Sequence, residues 1–213
     1  MAVTEVRPDD ATLRLARRAR VLAEMEAADI DLLVVGREGN ARYVSGTPRL
    51  WTAGSRAFGP GCVLVRATGS VHLLSTWDEG VPEEIPHENL YGISFNAMNF
   101  VKVLQKIEGA LTARTVATDS MTGSSAHLLP RAFPSAELVD GEPLLDRARR
   151  VKTPEEVDGI RVSVGIAERS LAQAEAALAP GMTERQLTAV FMEAMASAGV
   201  TTPATQDIAW ITT

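Results

Sequence analysis

Residues 149–199 read RRVKTPEEVDGIRVSVGIAERSLAQAEAALAPGMTERQLTAVFMEAMASAG, and the caps and stripes in this stretch decide the fold. Thr153, Pro154 and Glu156 fall at the N-cap, first and third positions of a helix, where a hydroxyl and a carboxylate satisfy orphan backbone donors reciprocally. Val157, Ile160, Val164, Ala167, Leu171, Ala174 and Leu178 then recur at three- and four-residue steps, one stripe along a helix of about 37 Å. Pro180 and Gly181 stop it. Thr183 and Gln186 repeat the capping box, and Met182 is placed to staple onto Leu187. Leu187, Val190, Phe191, Ala194 and Met195 form a second stripe, closed by Gly199 where a left-handed cap is wanted. The stretch is two amphipathic helices joined by a fixed corner. Both stripes need a sheet to lie on, so residues 149–213 are expected to present apolar surface.

Arg150, Lys152, Thr153, Glu155, Glu156, Ile160 and Arg161, then Pro180-Gly181-Met182-Thr183-Glu184 and Ala198-Gly199-Val200, resemble the opening of the pita-bread metallohydrolase domain. That family includes Xaa-Pro aminopeptidases, prolidases and creatinases, and the PGMTE corner is the most specific feature of the resemblance. The resemblance implies two divalent ions (manganese, zinc or cobalt) held by two aspartates, one histidine and two glutamates. In the family pattern all five ligands follow the part of the domain present here, so no metal ligand and no catalytic residue is assigned within residues 1–213. Asp207 precedes the first ligand aspartate of that pattern and is not assigned to metal. The chain is therefore expected to be a fragment, inactive alone.

Upstream, Asp9, Asp10 or Thr12 is placed to cap a helix with Leu15, Ala19, Leu22 and Met25 on its inner side and Arg14, Arg17, Arg18 and Arg20 on its wet side. Leu32 to Val35 is a continuous apolar run, as in a strand buried on both faces. Asn40 to Ser45 reads as a second short strand, and Thr47 to Gly61 (TPRLWTAGSRAFGPG) as a long loop. Gly61 to Arg66 and Val71 to Ser75 read as a hairpin about Ala67 to Ser70, and Leu90 to Ser94 as another strand. Phe100, Val103, Leu104, Ile107 and Leu111 form a helical stripe; a strand at Thr115 to Asp119, a helix at Ser124 to Leu129, an edge strand at Glu137 to Asp140 and a helix at Gly141 to Val151 complete the series. This alternation predicts an α/β domain with a mixed sheet over residues 10–145, followed by an incomplete second domain over 149–213. The element order is similar to the N-terminal domain of creatinases and prolidases, with Ala27 to Val35 and Asn40 to Gly46 resembling its opening motifs.

A net charge of −6 argues against nucleic acid or anionic lipid as a partner. Cys62 is the only cysteine, so there is no internal disulfide and no cysteine-built zinc site; its apolar surroundings predict an inert buried thiol in a reducing cytoplasm. No signal peptide is apparent and no apolar run approaches a membrane span, so a cytoplasmic protein is expected.

His72, His87 and His127 do not pair with carboxylates at metal-site spacing. His72 reads as a polar strand position. No nucleophile elbow or phosphate-binding glycine loop is present. The remaining candidates are Arg49, Trp51, Arg56 and Phe58 in the long loop, where guanidinium groups beside aromatic walls suit a substrate carboxylate. A self-packed loop with Trp51 in a crevice is the other reading. In relatives this region reaches the active site of a neighbouring subunit, so the resemblance implies substrate binding in trans within a homo-oligomer. It further implies a cytoplasmic metallopeptidase of the Xaa-Pro type, acting on peptides by metal-bound hydroxide. A non-catalytic protein-binding module of the same superfamily and a creatinase-type amidinohydrolase are the alternatives.

Overall fold

The computed structural model of the chain describes residues 10–47, 61–74, 81–92, 97–119 and 123–200. It divides into two compact units, one spanning residues 9–152 and the other containing the chain from Thr153 onward.

In the first unit the elements run α1 (Asp10–Ala27), β1 (Leu32–Val35), α2 (Glu38–Ser45), β2 (Cys62–Val65), β3 (Val71–Leu74), a 3-10 turn at His87–Asn89, β4 (Leu90–Tyr91), α3 (Ala97–Gln105), β5 (Thr115–Thr118), α4 (Gly123–Ala132), β6 (Glu137–Asp140) and α5 (Glu142–Arg150). The strands lie in the order β4-β3-β2-β1-β5-β6. β1–β2 and β2–β3 are antiparallel, whereas β1–β5, β5–β6 and β3–β4 are parallel, so the sheet is mixed.

β1 is central, and its apolar run follows from burial on both faces. Leu33 and Val35 join Val21 and Met25 of α1, Tyr43 and Val44 of α2 and Leu144, Leu145 and Ala148 of α5. Leu32 and Val34 join Phe100, Val101 and Leu104 of α3, Leu129 and Ala132 of α4, and Phe133 just after it. Each fully buried leucine or valine stabilises the fold by roughly 1.5–3 kcal/mol, which fixes the register because a one-residue slip would exchange the faces.

Four expectations are corrected. Residues 40–45 are not a strand but the body of α2, with Asn40, Ala41, Tyr43 and Val44 buried at helical steps. Gly46 closes this helix in the left-handed conformation (φ 75°), its N–H donating to the Arg42 carbonyl. In α1 the buried stripe is Arg18, Val21 and Met25; Arg18 is only 8% exposed, whereas Leu15 is 51% exposed. The arginines of this helix are thus not its wet side: Arg14, Arg17 and Arg20 are half-buried, and Arg18 is buried because α2 offers carbonyls that its guanidinium can reach. The α3 stripe ends early. The helix stops at Gln105, Ile107 remains buried in the turn that follows, and Leu111 is 52% exposed. α4 is longer than expected and passes through Pro130, held by buried Leu129, Ala132 and Phe133.

The second unit contains α6 (Pro154–Ala176) and α7 (Glu184–Ser197). Both capping boxes are formed: Thr153 Oγ1 accepts from Glu156 N–H while Glu156 accepts from Thr153 N–H, and Thr183 and Gln186 do the same. Gly181 (φ 85°) turns the corner. After α7, Gly199 N–H donates to Ala196 O and Val200 N–H to Met195 O, a Schellman closure around Gly199 at φ 77°. Ile160, Val164, Leu171 and Leu178 form an outward apolar stripe, 48–63% exposed. The inward positions of α6 are Glu156, Ile166, Ser170 and Ala174.

Candidate functional site

The parallel strands β1 and β5 are followed by helices on opposite faces of the sheet, α2 on one and α4 on the other. The crevice outside the carboxyl ends of such strands is where open α/β sheets place ligands or loops that carry function. At that end of the sheet lies Asp119, immediately after β5 and only 3% exposed. Its Oδ1 accepts from Gly36 N–H at 2.6 Å, and its Oδ2 from Arg37 N–H at 3.2 Å and Asn40 Nδ2 at 2.9 Å. Arg37 occupies the N-cap position of α2 without a capping side chain, so the carboxylate of another strand serves the orphan donors there. Asn40 in turn accepts on Oδ1 from Arg149 of α5, and Arg37 Nη1 lies 2.6 Å from Glu142 Oε1. One carboxylate thereby ties β5, α2 and α5 together.

The opposite end of α2 is held by a cation. Arg18 donates through Nε to Val44 O (3.2 Å) and through Nη2 to Ser45 O (3.4 Å), at a helix C-terminus where positive charge is favoured. Glu84 lies 3.6 Å from Arg18 and accepts two bonds from Arg14 at 3.1 and 3.2 Å. Burial lowers the Arg18 pKa, against the raising effect of Glu84. For Glu84, burial pushes upward, but the bond from Arg14 and the charges of Arg14 and Arg18 bring it below the usual carboxylate range. Cys62, beside this cation, is fully buried and its thiol is pushed up to about 12, which makes it the inert thiol expected.

These contacts fix the two residues that bracket segment 48–60. Thr47 N–H donates to Ser45 Oγ (3.2 Å), the two hydroxyls lie 2.7 Å apart, and Gly61 N–H donates to Val35 O at 2.8 Å. Arg49, Trp51, Arg56 and Phe58 lie outside the described residues, so the structure places their anchors and not the side chains themselves. Asp207 is likewise outside. Asp119 and Arg18 are the residues that sequence reasoning missed. An acid directly after a buried strand, and an arginine on the stripe shared with Val21 and Met25, were the available signals.

A groove of about 480 Å³ lies at the other end of β1, lined among others by Asp31, Arg66, Thr112 and Arg114. Arg66 bonds Glu26 (3.0 Å), Asp29 (3.0 Å) and Asp31 (2.7 Å). Burial alone would raise the Asp31 pKa, yet the Arg114 N–H, Arg66 and Thr115 N–H bonds outweigh it and hold it low. The groove is a set of internally satisfied ion pairs.

Among the described residues no three His, Cys, Asp or Glu side chains converge as a metal site requires. The described residues therefore do not by themselves make the two-ion centre the resemblance implies, and none of them is assigned to it. His72 sits on β3 and is 6% exposed; His87 opens the 3-10 turn and His127 lies exposed on α4. No helix among the described residues is long and apolar enough to cross a membrane.

Comparison with known proteins gives one family: the profile described as Creatinase/Prolidase N-terminal domain matches residues 17–151. No curated protein sequence matches. Among solved structures, the chain is similar to dipeptidase PepE from Mycobacterium ulcerans, with 26% identity and a TM-score of 0.59 over 90% of this chain and 51% of that one. It is similar to the X-Pro aminopeptidase from Thermotoga maritima, with 19% identity and a TM-score of 0.63 over 85% of this chain and 49% of that one. The Xaa-Pro dipeptidase from Bacillus anthracis gives 15% identity and a TM-score of 0.63, over 89% and 50% respectively. The chain thus spans about half the length of these three structures.

Proposed function

Given that the chain belongs to the creatinase/prolidase N-terminal domain family, we infer that it is the N-terminal half of a metal-dependent Xaa-Pro peptidase. The observation that supports this most is the reach of the structural similarity. It continues beyond residue 151 to cover 84–90% of the chain, and the proteins matched over that span are a prolidase, a dipeptidase, an Xaa-Pro dipeptidase and an X-Pro aminopeptidase. In this reading residues 10–145 are the N-terminal domain and 149–213 the opening of the catalytic domain. The outward stripe of Ile160, Val164, Leu171 and Leu178 is the face on which the remainder of that domain packs.

The division of labour follows from the chemistry. Peptide hydrolysis by a pair of divalent ions needs a hydroxide nucleophile and stabilisation of the oxyanion, which the ions supply when bound. The residues of this chain supply positioning. Arg49 and Arg56 hold the substrate carboxylate or backbone and Trp51 and Phe58 wall the site, from a stem pinned at Thr47 and Gly61. The loop acts on the active site of a neighbouring subunit in a cytoplasmic homo-oligomer.

The test compares the 213-residue chain with the longer product that this reading expects its gene to encode past Thr213, by elemental analysis and dipeptide hydrolysis. The longer product is expected to hold two divalent ions per chain and to cleave Xaa-Pro dipeptides, and the shorter one to do neither. Stoichiometric metal and metal-dependent cleavage by the 213-residue chain alone would overturn this assignment.

A further inference from the structure

The buried imidazole of β3 takes no part in the contacts at either end of α2. His72, on β3, is 6% exposed and is held on both ring nitrogens: Ser70 Oγ is 3.2 Å from Nε2 and Tyr91 Oη is 3.2 Å from Nδ1. Its ring also stacks on Tyr91, with centroids 5.9 Å apart and planes 24° from parallel. Tyr91 belongs to β4, a two-residue edge strand paired to β3 only at Leu73↔Leu90 and Leu74↔Tyr91. Asn89 Nδ2 also donates to Val71 O at 3.1 Å, joining the segment to β3. Alongside this backbone pairing, the His72–Tyr91 contact ties the edge strand to β3 through side chains.

From this cluster we propose that His72 is a proton-sensitive latch on the edge strand: neutral, it holds β4 against β3, and acid releases it. The physical reason is burial. Both partners are hydroxyls that can accept as well as donate, so an imidazolium would keep its bonds but lose its hydration. The charged group that faces it among the described residues is Glu108, whose attraction offsets this cost only in part, so the folded pKa lies below the ordinary histidine value. When β4 opens, the ring meets water and regains its ordinary affinity for a proton. The open state therefore binds more protons, and its free energy falls as pH drops below about 6.5. Stability of the latch is complete above the open-state pKa and is lost as pH falls towards the folded one. Release uncovers the outer edge of β3, where unpaired backbone groups invite pairing with another chain.

The test is amide hydrogen exchange on the 213-residue chain between pH 7.5 and 5, corrected for intrinsic exchange rates. Protection at 87–91 is expected to fall with pH by up to about tenfold per unit, the limit for one proton, while amides of β1 keep theirs. His72→Phe should flatten this dependence. Tyr91→Phe, which keeps the stack but removes one bond, should lower protection at every pH and retain the slope. If His72→Phe does not fold, the ring titration of the unaltered chain decides by itself. A His72 pKa at or above 6.5, or equal pH dependence at 87–91 and in β1, would overturn the latch.

Discussion

Removing the Asp119 carboxylate should be among the most damaging single changes in the first unit. Asp119→Ala leaves three donors without an acceptor: Gly36 N–H, Arg37 N–H and the Asn40 amide. An unsatisfied buried donor costs roughly 1–3 kcal/mol, so three would sum to between 3 and 9. Water reaching the partly buried Gly36 and Arg37 amides relieves some of this, and a cost of about 3–5 kcal/mol is expected. Asp119→Asn is the sharper probe, because it changes neither size nor shape. Its single oxygen can serve either the Gly36 side or the Asn40 side, and its amide then faces a donor on the other, for about 2–3 kcal/mol. Urea denaturation of the first-unit transition gives both values, provided the slope stays constant. A double-mutant cycle with Asn40→Ala should show coupling of about 0.5 kcal/mol or more, since the two side chains share a bond. A loss below about 1 kcal/mol for Asp119→Ala, with no coupling to Asn40, would refute the claim that this carboxylate caps α2.

Other substitutions probe the remaining contacts. Gly46→Ala should cost well over 1 kcal/mol, since its φ of 75° disfavours a side chain and the added Cβ would stand 1.7 Å from Arg14 Cδ; pairing it with Arg14→Ala should recover part of the loss, and thermal melts of the single and double variants check this. Asp31, whose folded pKa is held below its unfolded value, contributes stability that is present above about pH 4 and lost as pH falls through the folded value. Asp31→Asn should therefore be less stable at pH 7 yet converge with the unaltered protein in acid, as urea midpoints across pH 2–7 would reveal. In the longer gene product, Arg56→Ala should lose a charge-assisted bond of roughly 1.5–3 kcal/mol, about ten- to hundredfold in kcat/KM, at unchanged Tm. If Trp51 merely fills a crevice, Trp51→Ala should instead lower stability by about 3–5 kcal/mol at full activity.

The helix pair was fully legible in sequence because its signals are local: each capping box spans four residues and the Gly199 closure six. The sheet was legible where strands are apolar throughout, as in β1 and β2. Residues 40–45 misled because Tyr43 and Val44 favour strands intrinsically, while a feature that supports the helix is tertiary: the Asp119 carboxylate accepts from the N-cap Arg37 N–H of α2 from 82 residues away. Arg18 misled for a related reason. Its burial depends on the carbonyls of Val44 and Ser45, which no local pattern in α1 reveals. The stem of the candidate site, Thr47 and Gly61, was foreshadowed by glycine and proline punctuation at 46–61. The carboxylate and guanidinium that pin the helix before it were not, since lone charged residues read as solvated until the fold brings partners to them.

The assignment to Xaa-Pro peptidases is tested most directly by the substrate preference of the longer gene product, loaded with manganese, zinc or cobalt. Steady-state kcat/KM would be measured for an Xaa-Pro dipeptide, for the same dipeptide with alanine in place of proline, and for creatine. The account predicts metal-dependent hydrolysis with a clear preference for the proline peptide and no turnover of creatine. Turnover of creatine alone, or no hydrolysis of any of the three by a folded, metal-loaded protein, would contradict it.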